Sequence, residues 1–144
     1  MLKYITDIMR FLMVYIIILT LVSNIAKADS QVWTKVTQGS NGYDFYVDIK
    51  TIQNNNNFIF FWQLINYKTK DEYGDMSVKI YIKGNCKNFK FKWLKVAYHK
   101  LLMAEDKVQA KKPSDIVAGW QSAKPNSTSY AVIDYACNNK GILL

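Results

Sequence analysis

Six side chains in the middle of the chain could do binding chemistry together: Lys79, Tyr81 and Lys83, then Lys90, Lys92 and Lys95. Between Ser77 and Lys83 the residues alternate, with Val78, Ile80 and Ile82 falling on one side and the lysines and Tyr81 on the other, as a half-buried strand requires. Paired with the following segment in a hairpin, the two rows make one basic face. Such a face could hold an anionic glycan, lipid head groups or nucleic acid through charge, with Tyr81 as a stacking surface. The plainer alternative is that the lysines solubilise a sheet and discourage pairing at its edges.

Catalytic chemistry finds less support. His99 is the sole histidine of the chain, which excludes metal sites and acid–base pairs built on two imidazoles. A Ser, His and Asp arrangement stays open from spacing alone, but no Gly-x-Ser-x-Gly turn presents a nucleophile and no Gly-rich loop ends in Gly-Lys-Ser or Gly-Lys-Thr. The expectation is no catalytic, cofactor or metal residue, with a small hydrolase using His99 as the remaining enzymatic alternative.

The elements that must position the lysines read as a largely antiparallel β protein. Val32–Val36 opens a strand, and Asn41-Gly42 suits a tight turn. In the segment 43–48, Tyr43, Phe45 and Val47 alternate with Asp44, Tyr46 and Asp48, and Asp48 closes the strand. The polar run 53–57 reads as a hairpin connection, since Asn tolerates positive φ. Residues 58–67 form a nearly continuous apolar run, expected as the central strand buried on both faces. The charged stretch 68–75 is a solvated loop, and Gly84-Asn85 allows a turn with Cys86 and Lys87 near its tip.

In the segment 88–98, Phe89, Phe91 and Trp93 share one phase, whereas Leu94, Val96 and Tyr98 share the other. A β-bulge near Trp93 accounts for the slip. Residues 101–117 carry few apolar side chains and include Pro113, so they form a long surface excursion. Beyond Pro125, the capping residues Asn126, Ser127, Thr128 and Ser129 lead into Tyr130, Ile133 and Cys137 at spacings of three and four, which predicts a short C-terminal helix. The four tryptophans are expected in the core except Trp120, which lies among polar residues. The sequon Asn126-Ser127-Thr128 matters only in a host that glycosylates; otherwise Ser127 is a helix cap.

The amino terminus decides the compartment. Lys3 and Arg10 precede an apolar run from Phe11 to Val22, interrupted by Thr20, and Ala26-Lys27-Ala28 places small residues one and three positions before Asp29. This is the three-part pattern of a secretory signal peptide, expected over residues 1–28 with a cut between Ala28 and Asp29. The apolar run is short of the roughly 20 residues that cross a bilayer, so no stable membrane span is expected after cleavage. Retention as an anchor is the alternative. The removed segment holds Lys3, Arg10 and Lys27 against Asp7, so +6 of the total charge of +8 remains on one domain, residues 29–144. Export favours a disulfide between Cys86 and Cys137 over two buried free thiols, and it disfavours nucleic acid as a partner.

The chain resembles the bacterial surface-adhesin E family of small exported proteins. The matching features are Trp33 with Val36, Tyr46-Val47-Asp48 with Ile52, Trp62, Leu64, Asn66 and Tyr67, and Ser77-Val78-Lys79 leading to Cys86. Phe89, Lys90, Trp120, Pro125, Ser127 and Cys137 complete the pattern, which spans residues 32 to 138. The resemblance implies an antiparallel sheet with a helix near the carboxyl end, the Cys86–Cys137 bond and display on or near the envelope, with no catalytic residues. The named member is lipid-anchored, binds host matrix glycoproteins and can dimerise, whereas this chain has no lipidation cysteine after its apolar run.

The expectation is therefore an α+β domain, an antiparallel sheet of five or six strands with a short C-terminal helix tethered by a disulfide. It is exported, to the periplasm, the medium or the cell surface, and acts as a non-enzymatic binding or adhesin-like protein without cofactor. A macromolecular or anionic-glycan partner fits its lysine face, and a soluble accessory domain, with a homodimer through a sheet edge, is the alternative.

Overall fold

The structure is a computed structural model that describes residues 2–22 and 31–141. Leu2–Val22 is one helix, α1, and among the described residues no helix is long and apolar enough to cross a membrane. The expected cut between Ala28 and Asp29 lies outside the described residues.

Residues from Gln31 onward form a separate compact unit. Its strands are β1 (Trp33–Gln38), β2 (Asp44–Asp48), β3 (Gln53–Asn55), β4 (Phe58–Asn66), β5 (Ser77–Asn85), β6 (Lys90–His99) and β7 (Gln121–Ser122), followed by two helices in chain order around β7, α2 (Asp115–Ala118) and α3 (Thr128–Asn138). The sheet is antiparallel in the order β1-β2-β4-β5-β6-β7, and β3 pairs with the first half of β4. The α+β class and the tethered helix are as expected, and the sheet gains two short strands. One is β3, where the polar run itself pairs with β4 through a two-residue turn with Asn56 at φ 56°. The other is β7, which adds two residues to the end of β6.

One face of the sheet carries the core. Ile59 and Phe61 of β4, Val78, Ile80 and Ile82 of β5, and Phe91 and Val96 of β6 are buried there together with Val132, Ile133 and Ala136 of α3. The Ser127 hydroxyl caps α3 by accepting the Tyr130 amide at 3.1 Å and donates to the Lys124 carbonyl at 2.6 Å. Burying side chains such as Val132 and Ile133 contributes roughly 1.5–3 kcal/mol each, and the Cys86–Cys137 disulfide ties the last turn of α3 to the turn after β5. Gly84 lies inside β5 rather than in a turn. A Cβ there would sit 3.0 Å from Ile59 Cγ1 and 3.3 Å from Ile133 Cδ1, so the missing side chain lets the helix close on the sheet.

The predicted bulge is present. Trp93 pairs with Ile82 and Lys95 with Tyr81, leaving Leu94 as the extra residue. Two other expectations are met only in part. Asp48 ends β2 as expected, but on the polar side of the alternation it is fully buried, because its carboxylate accepts the amides of Val32 and Lys50 and caps the turn that follows β2. Ile59 and Phe61 of β4 are fully buried beneath α3, and on the other face Leu64 is fully buried as well, but Phe58, Phe60 and Trp62 of that second row remain half-buried, so the strand is not covered on both sides along its whole length.

The excursion after β6 folds back over one end of that second face. Met103 and Ala104 adopt φ 58° and 54°, a region that residues with a side chain seldom occupy. Hydrogen bonds hold them there: the Met103 amide donates to Asn66 Oδ1 at 2.9 Å and the Ala104 amide to Ser77 Oγ at 3.1 Å.

Candidate functional site

The face opposite α3 is built by cross-strand register. Tyr81 lies opposite Trp62 on β4 and Lys95 on β6, Lys83 lies opposite Phe60 and Lys92, and Asn85 lies opposite Phe58 and Lys90. Antiparallel partners project to the same side, so Lys79, Tyr81, Lys83, Lys90, Lys92 and Lys95 all share this face. The bulge is what admits Lys95. Without the extra Leu94, the alternation that sets Lys90 and Lys92 outward would turn Lys95 into the core.

Aromatic rings interleave with these lysines. Trp62 and Tyr81 have centroids 5.1 Å apart, Phe60 and Tyr81 6.4 Å, and Phe58 and Trp120 5.9 Å. The Lys79 ammonium sits 4.8 Å above the Trp62 ring, that of Lys83 4.0 Å above Phe58, and that of Lys92 5.3 Å above Trp120. These are cation–π contacts, which hold a charge in place without neutralising it. Among the described residues the lysine ion pairs fall on Lys35 with Asp44, Lys100 with Asp75 and Lys112 with Asp115. None of the five lysines of the face is in that set. Burial pulls the Lys79 ammonium below its ordinary lysine range, partly offset by the charge of Asp48. Lys79 also donates to Gln31 Oε1 at 3.4 Å.

The sequence pointed to the six residues of this face but not to its rings. Phe58, Phe60 and Trp62 were read as core because an unbroken apolar run hides its own alternation. The usable signal is a difference of kind: one phase holds Ile59 and Phe61, fully buried, whereas the other holds three rings in a row, opposite Asn85, Lys83 and Tyr81. Trp120 is 45% exposed, as its polar surroundings predict.

A second cluster has the residue types of a hydrolase. Ser77 lies opposite His99 in the sheet, and His99 Nδ1 is 3.0 Å from Asp106 Oδ1. The Ser77 hydroxyl, however, donates to the Leu101 carbonyl at 2.6 Å and accepts the Ala104 amide. Ser77 is 0% and His99 2% exposed. The arrangement anchors the returning loop, and its serine has no free proton path to His99 and no access to a substrate. Between the sheet and α3 lies a cavity of about 110 Å3, walled by Phe45, Gln63, Phe91, Trp93, Val132 and Ile133 among others, with no ionisable side chain in its lining. Among the described residues no group of three or more His, Cys, Asp or Glu side chains could hold a metal ion.

Comparison with known proteins rests on the same stretch of chain. The family model for surface-adhesin protein E matches residues 33–138. The chain belongs to the surface-adhesin protein E family. That span runs from β1 to the last residue of α3, so the sheet, its lysine face and the disulfide all lie within the surface-adhesin protein E match. Among solved structures, crystal form II of protein E from Haemophilus influenzae is similar at 19% identity with a TM-score of 0.56, covering 76% of this chain and 89% of the other. A second structure of Haemophilus influenzae protein E is similar at 18% identity and a TM-score of 0.56, covering 78% of this chain and 88% of the other. At these identities the likeness establishes the shared fold. No curated protein matches the chain in a sequence comparison. The surface-adhesin protein E family is one of adhesins rather than enzymes, and membership makes this chain an adhesin-like surface or exported protein.

Proposed function

We propose that this protein is a non-enzymatic binding domain of the envelope, exported by cleavage between Ala28 and Asp29, whose lysine-bearing sheet face docks an anionic macromolecule. The observation that supports the reading is the arrangement of Lys79, Lys83, Lys90, Lys92 and Lys95 on one face, with Lys83, Lys90, Lys92 and Lys95 in none of the ion pairs among the described residues. A cation already ion-paired must break that pair to bind. Here the ammonium groups of Lys83 and Lys92 rest on rings rather than on carboxylates, so a polyanion meets unneutralised charge, which favours rapid and salt-sensitive encounter.

The test uses the purified exported protein, labelled and applied to cultured epithelial cells and the matrix they deposit. Replacing Lys83, Lys90, Lys92 and Lys95 with Glu is expected to lower binding at least tenfold, and raising ionic strength is expected to weaken the unaltered protein steeply. Lys79 is left in place because it is half-buried, and thermal melting verifies that the variant folds. Equal binding by the folded variant sinks the proposal.

A further inference from the structure

The same face carries information about the shape of its partner, and this inference rests on the docking reading above. We propose that the ligand is a linear sulfated or carboxylated polysaccharide, laid across the face with one sugar ring on Tyr81 and its anionic groups on Lys79, Lys83 and Lys95. Tyr81 is the hub of the face. Lys79 and Lys83 flank it two residues away on its own strand, about 7 Å to either side, and Trp62 and Lys95 are its direct cross-strand neighbours. Ammonium groups stand over Phe58, Phe60, Trp62 and Trp120. Among the described residues none stands over Tyr81, so the central ring is the one left uncapped within a frame of cations.

That layout selects among polyanions. A peptide strand could not add to β5, because its backbone is already paired on both sides by β4 and β6, and strand addition needs a free edge. A lipid surface calls for apolar side chains that project into it, whereas Phe58, Phe60 and Trp62 are half-buried and carry ammonium groups over their rings. A polymer of flat rings carrying anionic substituents satisfies both components, the stacking surface and the charges beside it.

The experiment measures binding of the purified protein to four probes: a heparin oligosaccharide, inorganic polyphosphate of matched charge, uncharged dextran, and phosphatidylglycerol vesicles. The heparin oligosaccharide is expected to bind at least tenfold more tightly than polyphosphate, and dextran and vesicles not at all. Tyr81→Ala is expected to weaken heparin binding about tenfold, on the scale of one aromatic contact, while leaving the weak polyphosphate binding unchanged. Tyr81→Phe should retain heparin binding and shows that the site is intact. If Tyr81→Ala changes nothing, or polyphosphate or vesicles bind as well as heparin, the polysaccharide inference is overturned. In that case, loss of the polyanion or vesicle binding in the four-lysine variant leaves the docking face standing. If the four-lysine variant binds every probe unchanged, the docking face falls as well.

Discussion

Removing the covalent tie between α3 and the sheet should cost this domain a large part of its stability. Cys86 and Cys137 are 51 residues apart in sequence, and the loop-closure entropy returned to the unfolded chain by cutting a crosslink of that span is worth about 4 kcal/mol. A domain of this size has a total stability of roughly 5–15 kcal/mol, so Cys86→Ala with Cys137→Ala should leave it near the margin. With about 4 °C of melting temperature per kcal/mol for a chain a little over a hundred residues, the midpoint should fall by about 15 °C. The loss should also be uneven. The eleven-residue α3 is too short to persist without tertiary support, and its seat is the small patch of Val132, Ile133 and Ala136. Urea unfolding of the oxidised protein and of the double variant measures the total, and amide exchange measures the distribution. Slowed exchange in β4 with rapid exchange in α3 of the variant is the expected pattern. An unchanged midpoint, or α3 amides as protected as those of β4 in the variant, would refute the reasoning.

Gly84→Ala should destabilise by about 1–3 kcal/mol through overpacking, because its methyl group would press on Ile59 and Ile133, both fully buried; the urea midpoint reads it. Ser127→Ala removes the hydroxyl that caps α3 and should cost about 1 kcal/mol in the same assay. At Asp106, desolvation pulls the carboxyl upward, but the amide of Lys100, its own amide and His99 outweigh it and hold the group below the ordinary carboxylate range. Its contribution is present above the unfolded carboxylate pKa of about 4 and is lost as pH falls through the lower folded value. Stability of the unaltered protein should therefore fall more steeply below about pH 4 than that of Asp106→Asn, as measured by denaturant midpoints across pH.

What could be read in the sequence was whatever local periodicity encodes. The alternation of β5, the slip of phase at Leu94 and the Ser127 cap each involve residues within a few positions of one another, and each appears where the pattern placed it. The place of Asp48 at the end of β2 was legible, but its burial was not, because that depends on the Val32 amide, sixteen residues earlier in the chain. The run 53–57 was read as a connection because its side chains are polar and exposed, yet its backbone still pairs with β4. The site was half legible for the same reason. Its lysines follow from alternation within β5 and β6, but the rings that seat them come from β4 and from Trp120, and only cross-strand register brings them together. The proximity of Ser77, His99 and Asp106 was equally hidden, and it is the hydrogen bonds of Ser77 that separate that cluster from a catalytic one.

The central claim, that the lysine and aromatic face is the docking surface, is tested most directly by titrating the isotope-labelled protein with the heparin oligosaccharide and following backbone amide resonances. The account predicts saturable shifts centred on Tyr81, Lys83, Lys92 and Lys95 and little change across Val132, Ile133 and Ala136 on the opposite side of the sheet. Shifts centred on α3, or on the returning loop around Met103 with β5 and β6 silent, would contradict it.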